Sequence, residues 1–121
     1  MTATRFDFTI EQGSDVDFTV QVWADSAHTV IQNLTSWDAR FMIRSTRDAS
    51  GSPLVSLTSS PAAGLTVNGP AGQVNVFVSG STTSGYTWVN GQYDLEVFNN
   101  SLPKTRRILQ GNVSVSTEVT H

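Results

Sequence analysis

Four carboxylates, Asp7, Glu11, Asp15 and Asp17, crowd the N-terminal stretch and form the densest set of oxygen ligands in the chain. A hard cation such as calcium takes about six to eight oxygens, which the loops of a β protein can supply. Period-two alternation puts Asp15 and Asp17 on the outward face of one strand, and Asp7 with Glu11 on that of the strand before it. Carboxylates placed this way more often keep a face wet and deter edge pairing, so no metal ligand is assigned. Covalent chemistry needs a base beside a nucleophile. The histidines are His28, in a polar stretch, and His121, the last residue. No Gly-x-Ser-x-Gly elbow surrounds a serine, and no glycine-rich phosphate loop occurs. The absence of cysteine removes the disulfide framework, the thiolate nucleophile and the Cys-ligated metal. The expectation is a non-enzyme, with no catalytic, cofactor or metal position to name.

Arg40 and Arg44 share one face of a strand, and Lys104, Arg106 and Arg107 cluster at the start of the last hairpin. Together with Trp23, Trp37, Tyr86 and Trp88 they invite comparison with a single-strand nucleic-acid platform. Ten carboxylates against seven Lys and Arg, a net charge of −3, oppose it. The basic residues read instead as cross-strand ion pairs and rim contacts. The stretch Gly85-Tyr86-Thr87-Trp88-Val89 sets two large aromatics among polar residues, as interface and sugar-binding anchors are set. The other reading is that Trp88 folds back and plugs one end of the fold.

The elements that must position these residues are strands. Phe6, Phe8 and Ile10 alternate with Asp7, Thr9 and Glu11. After Gly13 the pattern restarts with Val16, Phe18, Val20 and Val22. Ala39, Phe41 and Ile43 follow on a strand from Trp37 to Arg44, then come short strands at 54–58, 65–68 and 73–79, and long ones at 92–99 and 105–116. The stretches 25–36 and 80–90 are read as connections, the first with a brief extended piece at Val30 and Ile31. No window holds a helical period for three turns. Charged residues are 14 % of the chain against a usual share of about 25 %, a mixture typical of turn-rich β proteins.

Short strands at close spacing predict one all-β domain over residues 1–121, a two-layer antiparallel sandwich with an immunoglobulin-like Greek key. Phe8, Ile10, Phe18, Val20, Phe41, Ile43, Val76, Leu95, Val97, Val113 and Val115 are its expected core. Tyr93 opens a late strand, where such sandwiches carry a tyrosine whose hydroxyl pins the preceding corner; a core-edge tyrosine without a special bond is the other reading. No signal peptide and no apolar run of about 20 residues is present, so a cytoplasmic origin is expected, with no membrane and no nucleic-acid partner.

Thr9-Ile10-Glu11-Gln12-Gly13-Ser14, Ala39-Arg40-Phe41-Met42-Ile43-Arg44, Gly91-Gln92-Tyr93-Asp94-Leu95-Glu96 and Arg107-Ile108-Leu109-Gln110-Gly111-Asn112-Val113-Ser114-Val115, in that order and spacing, resemble a family of small tailed-bacteriophage structural proteins. They are also distantly similar to the N-terminal domain of phage upper-baseplate proteins. The resemblance implies an immunoglobulin-like, non-enzymatic virion component that packs in many copies against other phage structural proteins. A carbohydrate-binding sandwich using Tyr86 and Trp88 is the alternative. Reading the final strand as a poorly protected edge puts the expected contacts at Tyr86, Trp88, Ser114, Val115, Ser116, Thr117, Glu118, Val119 and Thr120, with Lys104, Arg106 and Arg107 on the rim. The N-terminal strand with Phe6 and Phe8 is the next candidate.

Overall fold

Residues that alternate in sequence become strands whose two faces meet different media. The structure, a computed structural model, describes residues 4–25, 27–46, 53–59, 62–99, 101 and 104–117. The strands run in chain order as β1 Thr4–Arg5, β2 Phe8–Glu11, β3 Val16–Gln21, β4 Asp38–Arg44, β5 Val55–Ser59, β6 Ala62–Ala63, β7 Leu65–Asn68, β8 Gln73–Val78, β9 Asn90–Asn99 and β10 Lys104–Ser116. A single helical turn, α1 Gly80–Thr83, lies between β8 and β9. One sheet has the order β1-β10-β9-β4-β5-β6, with β2 also on β10; the other is β3-β8-β7. This is an all-β, two-layer sandwich of immunoglobulin-like Greek-key form. The chain changes sheets between β2 and β3, β3 and β4, β6 and β7, and β8 and β9, as that fold requires.

Ala39, Phe41 and Ile43 on β4 and Tyr93, Leu95 and Val97 on β9 are all buried, directly paired across the antiparallel ladder. With Ile10, Val22, Leu34, Leu65, Val74, Val76, Val113 and Val115 they build one core. Three expected core residues, Phe8, Phe18 and Val20, are only half-buried and pack at its margin. Ile108 and Leu109 are adjacent yet both buried. The register of β10 against β9 shifts between Arg107 and Leu109, and a bulge there turns two successive side chains inward.

The final strand is not an edge, which corrects the expectation built on it. β10 pairs with β9 on one side and, on the other, runs parallel to β1 through Thr4 and Arg5 and to β2 through Phe8 to Glu11. Period-two alternation fixes which face a residue takes, and carries nothing about a parallel partner so far away along the chain.

Between β1 and β2 the N-terminal strand crosses closely over Gly111. The Phe6 amide donates to the Gln110 carbonyl at 2.8 Å, and the Asn112 amide donates to Asp7 Oδ1 at 2.8 Å. A Cβ at Gly111 would stand 2.3 Å from the Phe6 carbonyl oxygen, so only glycine admits this approach. Tyr93, opposite Gly111 in the ladder, donates its hydroxyl to that same oxygen. The tyrosine therefore does pin a backbone carbonyl, but of the N-terminal strand and not of the preceding corner.

Candidate interaction surface

Tyr86 and Trp88 are half-buried against the core, with ring centroids 5.4 Å apart. Gln12 Nε2 donates to the Tyr86 carbonyl at 3.1 Å, and burial pushes the Tyr86 hydroxyl above its ordinary value. Trp88 Nε1 is buried and has no partner among the described residues. Of this stretch Gly85, Thr87 and Val89 face solvent, Val89 being 61 % exposed. The geometry follows the plug reading of Trp88 more closely than an outward aromatic platform.

The residues expected to act together fall into two places. Ser114 to Ser116 lie beside the aromatic stretch, where the Val115 amide donates to the Val89 carbonyl at 2.8 Å. Val115 is buried, Ser114 is half-buried with its hydroxyl 3.2 Å from that of Thr9, and Ser116 and Thr117 are exposed. Lys104, Arg106 and Arg107 begin the same strand, and at about 3.3 Å per residue its two ends stand on the order of 40 Å apart. Arg107 pairs with Asp94 at 3.3 Å. Glu118, Val119 and Thr120 lie outside the described residues.

The outer face of the larger sheet is laced by polar pairs. Arg40 Nε meets Glu96 at 3.0 Å while its guanidinium lies 5.0 Å from the centre of the Phe98 ring. The N-terminal carboxylates are engaged separately. Asp7 takes the Asn112 amide and pairs with Arg5 at 3.5 Å; Asp15 accepts the Gly80 amide at 2.6 Å; Asp17 accepts from Asn75 Nδ2 at 3.0 Å. Among the described residues no group of three His, Asp or Glu is placed to hold a metal ion.

A concavity lies where sequence reasoning placed core. Between β1–β2 of one sheet and β3 of the other runs a groove of about 630 Å³, floored by Phe6, Phe8, Val16, Phe18, Val20 and Leu109. Phe8 holds it together: its ring stands 5.9 Å from Phe6, 5.6 Å from Phe18 and 5.0 Å from Tyr93. Phe6 remains 46 % exposed. Burial and the nearby Asp7 carboxylate push the Tyr93 hydroxyl well above the ordinary tyrosine value, keeping it a neutral donor. At one end of the groove the turn from β2 to β3 is locked to α1. There Thr83, fully buried, accepts from the Gly13 amide at 3.0 Å and donates to the Ser14 carbonyl at 2.8 Å. The sequence signal was the run of Phe6, Phe8 and Phe18 on apolar phases, which alternation alone assigns to a closed interior.

No family model matches the chain, and no curated protein matches it in sequence. Among solved structures it is similar to a crystal structure of chicken TCR, with a TM-score of 0.57 and 14 % identity over 94 % of this chain and 54 % of that one. The chain thus spans about half of that neighbour's length. A likeness at this identity shows the immunoglobulin-like fold alone, and folds of this kind host unrelated functions.

Proposed function

We propose that the chain is a non-enzymatic structural protein of a bacteriophage virion, present in many copies and assembled with other head, neck or tail proteins. Decoration of the head and attachment of baseplate or fibre are both within this reading. The observation that carries it is the groove between β2 and β3, where Phe6, Phe8 and Phe18 stay partly open to solvent instead of closing into the core. Contiguous apolar surface left open on a small domain marks a contact with another molecule. The resemblance of the four sequence stretches to small tailed-phage structural proteins supplies the class of assembly. The runner-up, sugar binding on Tyr86 and Trp88, needs an exposed ring face, and both rings are packed against the core.

The test is quantitative mass spectrometry of gradient-purified particles produced from a genome that carries this gene. The protein is expected in a fixed ratio to the major capsid protein. Its abundance in the lysate with absence from purified particles would sink the reading.

A further inference from the structure

Among the described residues the smaller sheet has an open edge beside the groove. There β3 is paired on one side only, to β8, while an immunoglobulin sandwich ordinarily carries a further strand at this position. In this chain the N-terminal strand lies on β10 instead. The direction of the unpaired backbone follows from the ladder. The Val22 amide donates to the Gly72 carbonyl at 2.8 Å, and hydrogen-bonded positions recur every second residue of an antiparallel pair. Phe18 and Val20 therefore face β8, and the amides and carbonyls of Asp17, Thr19 and Gln21 face the open edge.

We infer that this edge and groove receive an extended segment of a partner protein in which apolar and basic residues alternate. A strand laid along β3 would take its hydrogen bonds from Asp17, Thr19 and Gln21 and turn every second side chain into the gap beside Phe6, Phe8 and Phe18. Its other side chains would face outward, where β3 shows Asp17 and Thr19. The rim supplies the charge preference. Among the described residues Glu11, Asp15 and Asp17 line the groove against one cation, Arg5, which is paired to Asp7 at 3.5 Å. A second copy of this edge would bring the same acidic rim against this one, so the carboxylates select a cationic strand and disfavour self-pairing. The inference deepens the assembly reading and rests on it only for the partner being another virion protein.

The experiment uses the whole chain and two synthetic peptides of about seven residues, the length of an ordinary strand, one alternating Val with Lys and one alternating Val with Glu. In the free protein the amides of Asp17, Thr19 and Gln21 should exchange with deuterium much faster than those of Phe18 and Val20. The Val-Lys peptide should bind, slow those three amides, and weaken with added salt, while the Val-Glu peptide should not bind. Asp17→Lys should weaken binding by about tenfold or more. Thr19→Pro, which removes an outward amide that the β3–β8 ladder does not use, should abolish it. If Thr19→Pro fails to fold, Asp17→Lys decides alone.

Three results would overturn the inference. One is slow exchange at the three edge amides in the free monomer, because the chain would then cover its own edge. Another is equal binding of both peptides, or binding indifferent to Asp17→Lys. The third is protection of these amides that grows with protein concentration, which would make a second copy the occupant. None of these bears on whether the protein is found in particles, so the two readings fail separately.

Discussion

The two flanks of the sandwich are closed by different means. On the β5–β7 flank the chain itself crosses from one sheet to the other at Gly64, bridging to Thr58 and accepting the Phe77 amide at 2.8 Å. Gly64 has φ +95°, and a Cβ there would meet Leu57 at 2.8 Å and the Phe77 carbonyl at 3.0 Å, so the crossing is as tight as backbone allows. Leu65, just beyond it, is buried. On the β2–β3 flank the chain also crosses, at the Gln12–Asp15 turn, but only at the end of the groove. From that turn β2 joins β10 and β3 joins β8, and the aromatic side chains between them stay half-buried. The same alternating pattern thus gives a sealed interior or an open one, according to whether a crossing strand lies along the flank.

The largest effect expected from this contrast is a difference between two phenylalanines. Phe41, 2 % exposed on β4, should cost about 3–5 kcal/mol when replaced by alanine, because a sealed cavity remains. Phe18, half-buried beside the groove, should cost only about 1–2 kcal/mol, having less transfer free energy to lose and no closed wall behind it. Urea unfolding of both variants checks this. Equal losses would mean that the β2–β3 flank is closed in solution.

Next in size is Gly111→Ala, expected to cost about 1–3 kcal/mol through overpacking against the Phe6 carbonyl. It sharpens the contrast because it acts on one flank alone. Hydrogen exchange should quicken in β1 and β2 and stay unchanged in β7. A uniform increase across both sheets would show that the N-terminal strand is part of the common core.

The smallest effect is that of Tyr93→Phe, about 1 kcal/mol at neutral pH for one lost hydrogen bond. Its pH dependence is more telling. Because the hydroxyl is held above the ordinary tyrosine value of 10.0 in the fold, its contribution is intact below that pH. Above it the unfolded chain ionises first, so stability falls with rising pH until the folded hydroxyl ionises as well. The wild-type midpoint in urea should drop above pH 10 more steeply than that of the variant. Parallel curves would mean that Tyr93 reaches water.

Most of the fold was legible because it depends on period-two alternation. The strand around Phe41, the two long final strands, and the inward faces of Ile10, Ile43, Leu95, Val97 and Val113 all followed from residue order. What alternation does not carry is the partner of each strand. Parallel pairing of β2 with β10 joins residues from opposite ends of the sequence, and that pairing turned an expected edge into an interior strand. For the same reason Phe8, Phe18 and Val20 were expected in the core: their phase is that of the apolar face, but no strand among the described residues covers them. The helical turn at Gly80–Thr83 was missed because four residues cannot express a 3.6-residue period. The acidic quartet was visible, and its reading as a deterrent to edge pairing fits Asp17 on β3, although nothing in the sequence said that β3 was the edge.

The parallel pairing of β1 and β2 with β10 also governs how the domain answers mechanical tension. The strands of this pair run in the same direction side by side, so a pull that separates the start of β1 from the end of β10 is directed along the strands. The hydrogen bonds from Thr4–Leu109 to Glu11–Ser116, with the Phe6 carbonyl gripped by Tyr93, are then sheared all at once. In a terminal hairpin the same number of bonds would peel one after another. A domain built this way yields late and abruptly under load.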